Sequence, residues 1–246
     1  MVRLARYNAA MAIRLVIFDL DGTLIDSRRD LADATNALIA ELGGEPLSLE
    51  AVTAMVGEGA AVLVRRALTA AGLDPSAPGA LERFLAHYDD RLTVHTRPYD
   101  GIVASLEALR SDGLALAVLT NKPGRPTREI LDRLGLAGFF SQVIGGDSPL
   151  GRKPDPAGLL SLAARAGVTP SATVLVGDSP IDVKTARAAR AIVCLARYGF
   201  GLPAGGVALQ PGELAVDVPS ALPAAIRSFR PDIGDARLPE TSQSHT

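Results

Sequence analysis

The sequence contains no tryptophan, one cysteine and three histidines, and aromatic residues make up only 4% of the chain. The lone Cys194 excludes a disulfide bond within the chain and is compatible with a reducing compartment. Because aromatic side chains are scarce, the core must be built mainly from Ala, Leu, Val and Ile. That composition suits helices packed on a parallel sheet.

The sequence also lacks an excess of basic residues and a long apolar segment. Its formal net charge is −2, which leaves no basic footprint of the kind that nucleic-acid-binding proteins show. No stretch reaches the length of a membrane span without a charge or a turn residue. Residues 1–11 contain two arginines but no apolar run typical of a secretory signal. We therefore expect a soluble, cytoplasmic protein that binds neither nucleic acid nor membrane.

The most informative stretch that is present covers residues 14–24. Its continuous apolar run is typical of a strand buried on both faces, as in a parallel sheet. Asp19 and Asp21 follow this run directly, and neighbouring carboxylates at a buried strand end repel each other. A hard cation such as Mg²⁺ would resolve the conflict, whereas the alternative is a solvated acidic turn without function. An EF-hand calcium loop is disfavoured, because Thr23 stands where that loop requires Asp or Asn.

The remaining chain divides into a helical block and an alternating region. Residues 27–96 show helical periodicity without a convincing strand, with Ser27 and Ser48 as expected N-caps. From residue 97 onward, strands alternate with helices, which predicts βαβ units and a parallel sheet. The predicted helices are 31–42, 48–56, 60–71, 80–95, 102–110, 127–134, 157–166, 181–189 and 221–229, and the later strands are 114–119, 142–144, 173–176, 192–195 and 214–218. The polar, aperiodic residues 230–246 predict a disordered tail.

Polar side chains recur where these later segments end or begin. The strand 114–119 is followed by a hydroxyl, an amide and an ammonium, and the strand 173–176 by two carboxylates one helical turn apart. The residues concerned are Thr120, Asn121, Lys122, Asp178 and Asp182, together with Lys153 at the mouth of a helix. Each alone has an ordinary explanation as a turn cap, a helix cap or a surface lysine. Because the carboxyl ends of parallel strands share one edge, their common placement favours a single site that binds a cation and an anion.

These motifs resemble those of the haloacid dehalogenase superfamily of phosphohydrolases. The superfamily pattern is Asp-x-Asp-x-Thr, then Ser or Thr, then Lys, then Gly-Asp-x-x-x-Asp, and here it corresponds to Asp19, Asp21, Thr23, Thr120, Lys153, Gly177, Asp178 and Asp182. The resemblance implies an α/β fold with a Rossmann-like three-layer core and a parallel sheet. It also implies that residues 1–26 and 97–229 form this core and that residues 27–96 form an all-helical cap inserted after the first strand.

The resemblance further implies a covalent phosphatase mechanism. Asp19 would attack the phosphorus and form an aspartyl-phosphate. Asp21 would protonate the leaving group and then activate the hydrolytic water. Thr120, Asn121 and Lys153 would bind the substrate, with Thr120 and Lys153 on the phosphoryl oxygens.

A magnesium site follows from the same resemblance. Mg²⁺ would be held by Asp19, by the backbone carbonyl of Asp21 and by Asp178. Asp182 and Thr23 would act as supporting residues around these ligands.

Four further segments, residues 56–60, 97–99, 145–148 and 153–156, resemble phosphoglycolate phosphatases within this superfamily. They make 2-phosphoglycolate the expected substrate, with its carboxylate bound by backbone amides near Gly57 and by Arg65 or Arg66. A phosphatase or phosphomutase for another small sugar phosphate remains an alternative, as does a phospho-receiver signalling domain. The expected partner is a small phosphate ester, and the expected assembly is a monomer or a homodimer.

Overall fold

A computed structural model of the protein describes residues 13–229, and a six-stranded parallel sheet lies at the centre of this region. The strands are β1 (Leu15–Phe18), β2 (Ile25–Asp26), β3 (Arg97–Pro98), β4 (Ala115–Leu119), β5 (Gln142–Ile144), β6 (Thr173–Gly177), β7 (Ile192–Ala196) and β8 (Leu214–Val216). The order in the large sheet is β5-β4-β1-β6-β7-β8, and β2 pairs with β3 in a separate antiparallel ribbon. The tail predicted at 230–246 lies outside the described residues.

Strand β1 is buried on both faces, as its apolar run predicts. Val16 and Phe18 pack into one hydrophobic cluster, whereas Leu15 and Ile17 pack into a second. Successive strand side chains point to opposite faces, so the two clusters are the two faces of the sheet. All four side chains are fully buried. The sheet is therefore covered on both sides.

Helices form the outer layers. Their bounds are α1 (Arg28–Glu41), α2 (Leu49–Thr53), α3 (Ala60–Ala70), α4 (Ala80–Asp89), α5 (Ile102–Ser111), α6 (Gly124–Arg133), α7 (Ala157–Arg165), α8 (Pro180–Ala189) and α9 (Leu222–Ser228). Buried residues of α5, α6 and α9 belong to the cluster that contains Phe18, and those of α7 and α8 to the cluster that contains Ile17. The predicted three-layer α/β arrangement with a parallel sheet is confirmed. None of the helices in this part of the chain has the length and apolar character to cross a membrane.

Helices α1 to α4 lie between β2 and β3 and pack on one another. We call residues 27–96 the helical segment; its status as a separate cap domain stays a prediction. Because β2 and β3 pair, the chain enters and leaves this segment at adjacent points. The buried carboxylate of Asp30 in α1 fastens the exit, since it accepts hydrogen bonds from the backbone of His95 and from both the backbone and the hydroxyl of Thr96, over 2.7–3.0 Å.

Three local predictions need correction or refinement. Ser27 occupies the N-cap position of α1, but its hydroxyl makes no cap hydrogen bond, because it is used by the site described below. Ser48 does cap α2, by accepting from the backbone of Ala51 over 3.2 Å. The helix predicted over 80–95 ends at Asp89, and the amide of His95, the last residue of that stretch, donates to Asp30 instead of a helical carbonyl. The prediction of no strand between residues 24 and 96 missed the two-residue β2.

Candidate active site

The register of the sheet brings the predicted site residues to one edge. Phe18, the last residue of β1, pairs with Val118 of β4 and with Val176 of β6. Asp19 follows Phe18 directly, and Thr120 and Asp178 each stand two residues beyond these partners. The three side chains therefore meet at the carboxyl end of the sheet, where open α/β folds bind their ligands. All three are buried, and all three line one cavity.

Lys153 is buried between two carboxylates. Its ammonium is 2.8 Å from Oδ1 of Asp19 and donates to Oδ1 of Asp182 over 2.6 Å. Burial disfavours the charged lysine, but the Coulombic attraction of Asp182 and Asp19 outweighs it and raises the pKa of Lys153. Lys153 therefore stays cationic next to Asp19.

Asp182 serves two partners in the structure. One carboxylate oxygen binds Lys153, and the other accepts from the backbone and hydroxyl of Ser179 over 3.1 and 2.6 Å. Ser179 in turn accepts from the backbone of Asp182, so the two residues form a capping box at the start of α8. The N-cap of this helix is thus Ser179, not Asp178. The capping box at the start of α8 therefore holds the carboxylate of Asp182 in place, and this carboxylate in turn positions the ammonium of Lys153.

Asp178 is held in a tight pocket of backbone. Its Oδ2 accepts from the amides of Phe200 and Gly201 over 3.0 and 2.7 Å. A Cβ added to Gly22 would lie 1.9 Å from Oδ2 of Asp178, and one added to Gly199 would lie 2.3 Å from its Cβ. Only glycine fits at either position, so the loops after β1 and β7 close around this carboxylate.

Asp19, Asp178 and Asp182 form a cluster of acids in which one oxygen of each lies within 4.8 Å of the others. Burial raises the pKa of Asp19 to about 6, against the opposing effect of Lys153. Burial, together with the negative charge of Asp182 and Asp19, raises the pKa of Asp178 well above its usual range. Crowded, buried carboxylates of this kind suit a hard divalent cation. Both oxygens of Asp182 are engaged by Ser179 and Lys153, whereas Asp19 and Asp178 each use only one oxygen in the contacts described above, so these two residues could hold a metal.

Asp21 is not part of that cluster and has partners of its own. Its carboxylate accepts from the hydroxyl of Ser27 over 2.6 Å and lies 3.0 and 2.9 Å from the ammonium of Lys122. Ser27 and Lys122 are both buried. The sequence identified Lys122 as a possible anion donor but gave no signal that it pairs with Asp21, and it assigned Ser27 to a helix cap.

Thr120 and Asn121 sit side by side but have different surroundings. The hydroxyl of Thr120 accepts from the backbone of Lys122 over 3.2 Å and lies on the cavity wall. The Asn121 amide group donates to the carbonyls of Gly57 and Lys153, each over 3.0 Å, and accepts from the backbone of Lys153 over 2.9 Å. The polar atoms of the Asn121 side chain are therefore engaged with backbone, which positions Lys153 and ties the helical segment to the edge of the sheet.

The structure also places the three remaining predicted residues. Thr23 is fully buried, and its carbonyl accepts from the phenol of Tyr198 over 2.8 Å, which supports the loop after β1. Gly57 lines the cavity, with its carbonyl bound to Asn121. Arg65 is exposed on α3, and it is not among the residues that line the cavity within the described part of the chain.

This geometry can hold a phosphate ester. Carboxylates suited to a cation, a buried ammonium and a hydroxyl surround one small space, which is the arrangement that phosphoryl transfer requires. Part of the wall comes from the helical segment, through Gly57, Leu63, Phe84 and Tyr88. Among these, Tyr88 could not be identified from the sequence, because its place on the wall depends on how α4 packs.

Comparison with known proteins agrees with this geometry. A phosphoglycolate phosphatase from Rhodospirillum rubrum is 46% identical over 194 residues, which cover 76% of this chain and 80% of that protein. One from Thiobacillus denitrificans is 37% identical over 220 residues, covering 88% of this chain and 96% of the relative. The crystal structure of a predicted phosphoglycolate phosphatase from Haemophilus somnus superimposes with a TM-score of 0.78 at 31% identity, over 85% of this chain and 96% of the other. The profile of the haloacid dehalogenase-like hydrolases matches residues 16–196, and the chain therefore belongs to that family.

Proposed function

We propose that the protein is a Mg²⁺-dependent phosphatase that hydrolyses 2-phosphoglycolate to glycolate and phosphate through an aspartyl-phosphate on Asp19. The observation that carries the proposal is the convergence of Asp19, Asp178, Thr120 and Lys153 at one sheet edge. The choice of substrate rests on the relatives, several of which are phosphoglycolate phosphatases at 37% identity or more.

Asp19 would act as the nucleophile. Its backbone is fixed by a hydrogen bond from its amide to the carbonyl of Val176 over 2.9 Å, so the carboxylate is presented at the strand end with little freedom. Lys153 beside it keeps a positive charge where the phosphoryl oxygens would lie, and Thr120 would donate to the same oxygens. A bond would form from Asp19 to phosphorus as the bond to the leaving oxygen breaks.

Asp21 would deliver the proton to the leaving oxygen. The hydrogen bonds from Ser27 and Lys122 hold its carboxylate in one orientation on the cavity wall. After the leaving group departs, Asp21 would take a proton from the water that attacks the aspartyl-phosphate.

Asp19 and Asp178 would hold the metal, together with the backbone carbonyl of Asp21. The ion, when bound, would keep Asp19 ionised and neutralise charge on the phosphoryl group. We choose Mg²⁺ because it accepts one or two carboxylates with substrate oxygens in the remaining positions. Asp182 would act on this set indirectly, through Lys153.

The helical segment would act as a cap over the site, with Gly57 and the wall residues from α3 and α4 excluding water. The hinges would lie at the paired β2 and β3. A cytoplasmic location and a monomeric or homodimeric assembly complete the proposal.

The test is phosphate release in Mg²⁺ from 2-phosphoglycolate, glucose 6-phosphate, glucose 1-phosphate and a nucleoside monophosphate. We expect the highest kcat/KM for 2-phosphoglycolate and no turnover in EDTA. A higher kcat/KM for a sugar phosphate would overturn the assignment of 2-phosphoglycolate as the substrate. Activation by a sugar bisphosphate with little phosphate release would indicate a mutase, and a stable phosphoprotein without turnover would indicate a receiver domain.

A further inference from the structure

The side of the cavity formed by the helical segment is mostly apolar. Leu31, Leu63, Phe84 and Leu85 line it, and Pro126 adjoins them from α6. Such side chains offer no hydrogen bonds to the hydroxyl groups of a sugar, and burying an unpaired hydroxyl costs free energy. The wall therefore disfavours a polyhydroxylated leaving group.

Two polar groups interrupt this apolar wall. The ammonium of Lys122 lies 4.5 Å from the centroid of the Tyr88 ring. Tyr88 is only 2% exposed, and the Lys122 ammonium beside its ring also interacts with its hydroxyl, without a well-oriented hydrogen bond between them. Burial raises the pKa of this phenol to about 12, so it keeps its proton at neutral pH. An ammonium can only donate, so the phenol proton still lacks an acceptor among the described residues. A buried donor without an acceptor is costly, which points to a ligand as that acceptor.

The position of Lys122 relative to the reacting groups shows which part of a substrate it would meet. Lys153 contacts Asp19, so it lies where the phosphoryl group would be. Lys122 contacts Asp21, the proposed acid for the leaving oxygen, so it lies where the leaving group would be. The site thus has two buried ammonium groups, one for each end of a short dianionic or trianionic molecule.

We propose that Lys122 and Tyr88 together bind the carboxylate of the leaving group and so select phosphate esters of small 2-hydroxy acids over neutral esters. The inference rests on the proposed function and names the residues that would select its substrate. In such an ester the carboxylate is one carbon from the ester oxygen, which matches the direct contact between Lys122 and Asp21. The ammonium would give the charge and the phenol a second hydrogen bond. Of the two arginines suggested by the sequence, Arg65 is exposed on α3 and Arg66 forms an ion pair with Glu58.

The test compares 2-phosphoglycolate with ethyl phosphate, which has a methyl group in place of the carboxylate. For Lys122→Met we expect kcat/KM to fall with both substrates, because Lys122 also holds Asp21, but to fall ~10²-fold further with 2-phosphoglycolate than with ethyl phosphate. Lys184→Met is the matched control, because Lys184 is exposed on α8 outside the cavity. It should leave kcat/KM for both substrates within about twofold of the parent value, as expected for a surface substitution.

Tyr88→Phe provides a milder variant that keeps the Lys122–Asp21 pair and removes one oxygen. It should raise KM for 2-phosphoglycolate by ~10-fold and leave ethyl phosphate unchanged. If Lys122→Met does not fold, Tyr88→Phe still tests whether this part of the wall binds the carboxylate. Equal losses of kcat/KM on both substrates in each variant would show that Lys122 and Tyr88 act only through Asp21 and would overturn the inference. A loss specific to 2-phosphoglycolate that occurs only in Arg65→Ala would overturn it as well. Failure of the proposed function is a separate result, since it requires the parent protein itself to prefer another ester.

Discussion

The ammonium of Lys153 donates to Asp182 over 2.6 Å, and only 2% of either side chain is exposed. This pair connects the start of α8 to the cavity, because Asp182 also closes the capping box with Ser179. A buried ammonium needs compensating charge. Asp182 supplies this negative charge, so that Lys153 stays buried and cationic next to Asp19, where the phosphoryl group would bind.

We therefore expect Asp182→Asn to lower kcat/KM by ~10–100-fold, as loss of a supporting partner commonly does. Unfolding free energy should fall by about 2 kcal/mol, because hydrogen bonds to charged groups are weakened. Phosphate release and urea unfolding measure the two effects. Glu50→Gln is the control, since Glu50 is also an acid in a first helical turn but is exposed. Equal behaviour of the two variants would contradict the role of Asp182.

Asp19→Asn should abolish turnover and leave the fold intact. Lys153 keeps Asp182 as a partner, so the variant removes a crowded carboxylate without stranding the ammonium. Acid-quenched samples should show phosphate bound to the parent protein but none bound to the variant. Normal turnover by Asp19→Asn would show that the nucleophile is a different residue.

The same substitution should stabilise the metal-free protein in a pH-dependent way. The pKa of Asp19 is raised from 3.8 to about 6, so the folded state binds a proton that the unfolded state has lost between these values. Stability of the parent protein should then fall as pH rises through this window, and the penalty should be constant above it. In EDTA, Asp19→Asn should match the parent near pH 3.5 and exceed it by up to about 3 kcal/mol at pH 7. Urea unfolding across this range checks the sign, and a difference that is independent of pH would contradict it.

Much of the sheet follows from local sequence, whereas the partners inside the site do not. The strand predicted at 142–144 coincides with β5, and 173–176 differs from β6 by one residue, because continuous apolar runs mark buried strands. The edge position of Asp19 then follows from parallel topology. Lys122 and Asp21 are 101 residues apart, and nothing in either local sequence specifies their ion pair.

Where a side chain has two possible partners, the local sequence does not determine which one it takes. Ser27 has the composition and position of a helix cap, but a carboxylate 2.6 Å away takes its hydroxyl. Asn121 follows a strand end like a ligand-binding amide, but backbone groups from two other segments engage it. In both cases the choice is made by groups that only the folded chain brings near.

Gly199→Ala should weaken metal binding. The new Cβ would lie 2.3 Å from both the Cβ of Asp178 and the carbonyl oxygen of Gly22, so the carboxylate must move from its position. We expect the Mg²⁺ concentration for half-maximal activity to rise by ~10–100-fold, on the scale seen when the groups that orient a metal ligand are disturbed. Gly205→Ala is the control, because nothing lies within 4 Å of its added Cβ. A parent-like Mg²⁺ requirement in Gly199→Ala would contradict this account of Asp178.

Asn121→Ala tests whether one side chain couples the helical segment to the catalytic edge. The change leaves two carbonyls and the amide of Lys153 without their partner, which should cost about 2 kcal/mol of stability. Hydrogen exchange should become faster at residues 56–60, and kcat should fall by ~10-fold or more as Lys153 loses its anchor.

Asn36→Ala is the matched control for this substitution. Asn36 also bonds both ways to backbone, donating to the carbonyl of Leu47 over 2.9 Å and accepting from its amide over 2.8 Å, but it lies within the helical segment away from the cavity. It should show a comparable loss of stability with kcat unchanged. If both variants lost stability and neither lost kcat, the bonds of Asn121 would serve folding alone, and the positioning of Lys153 would depend on its ion pairs with Asp19 and Asp182.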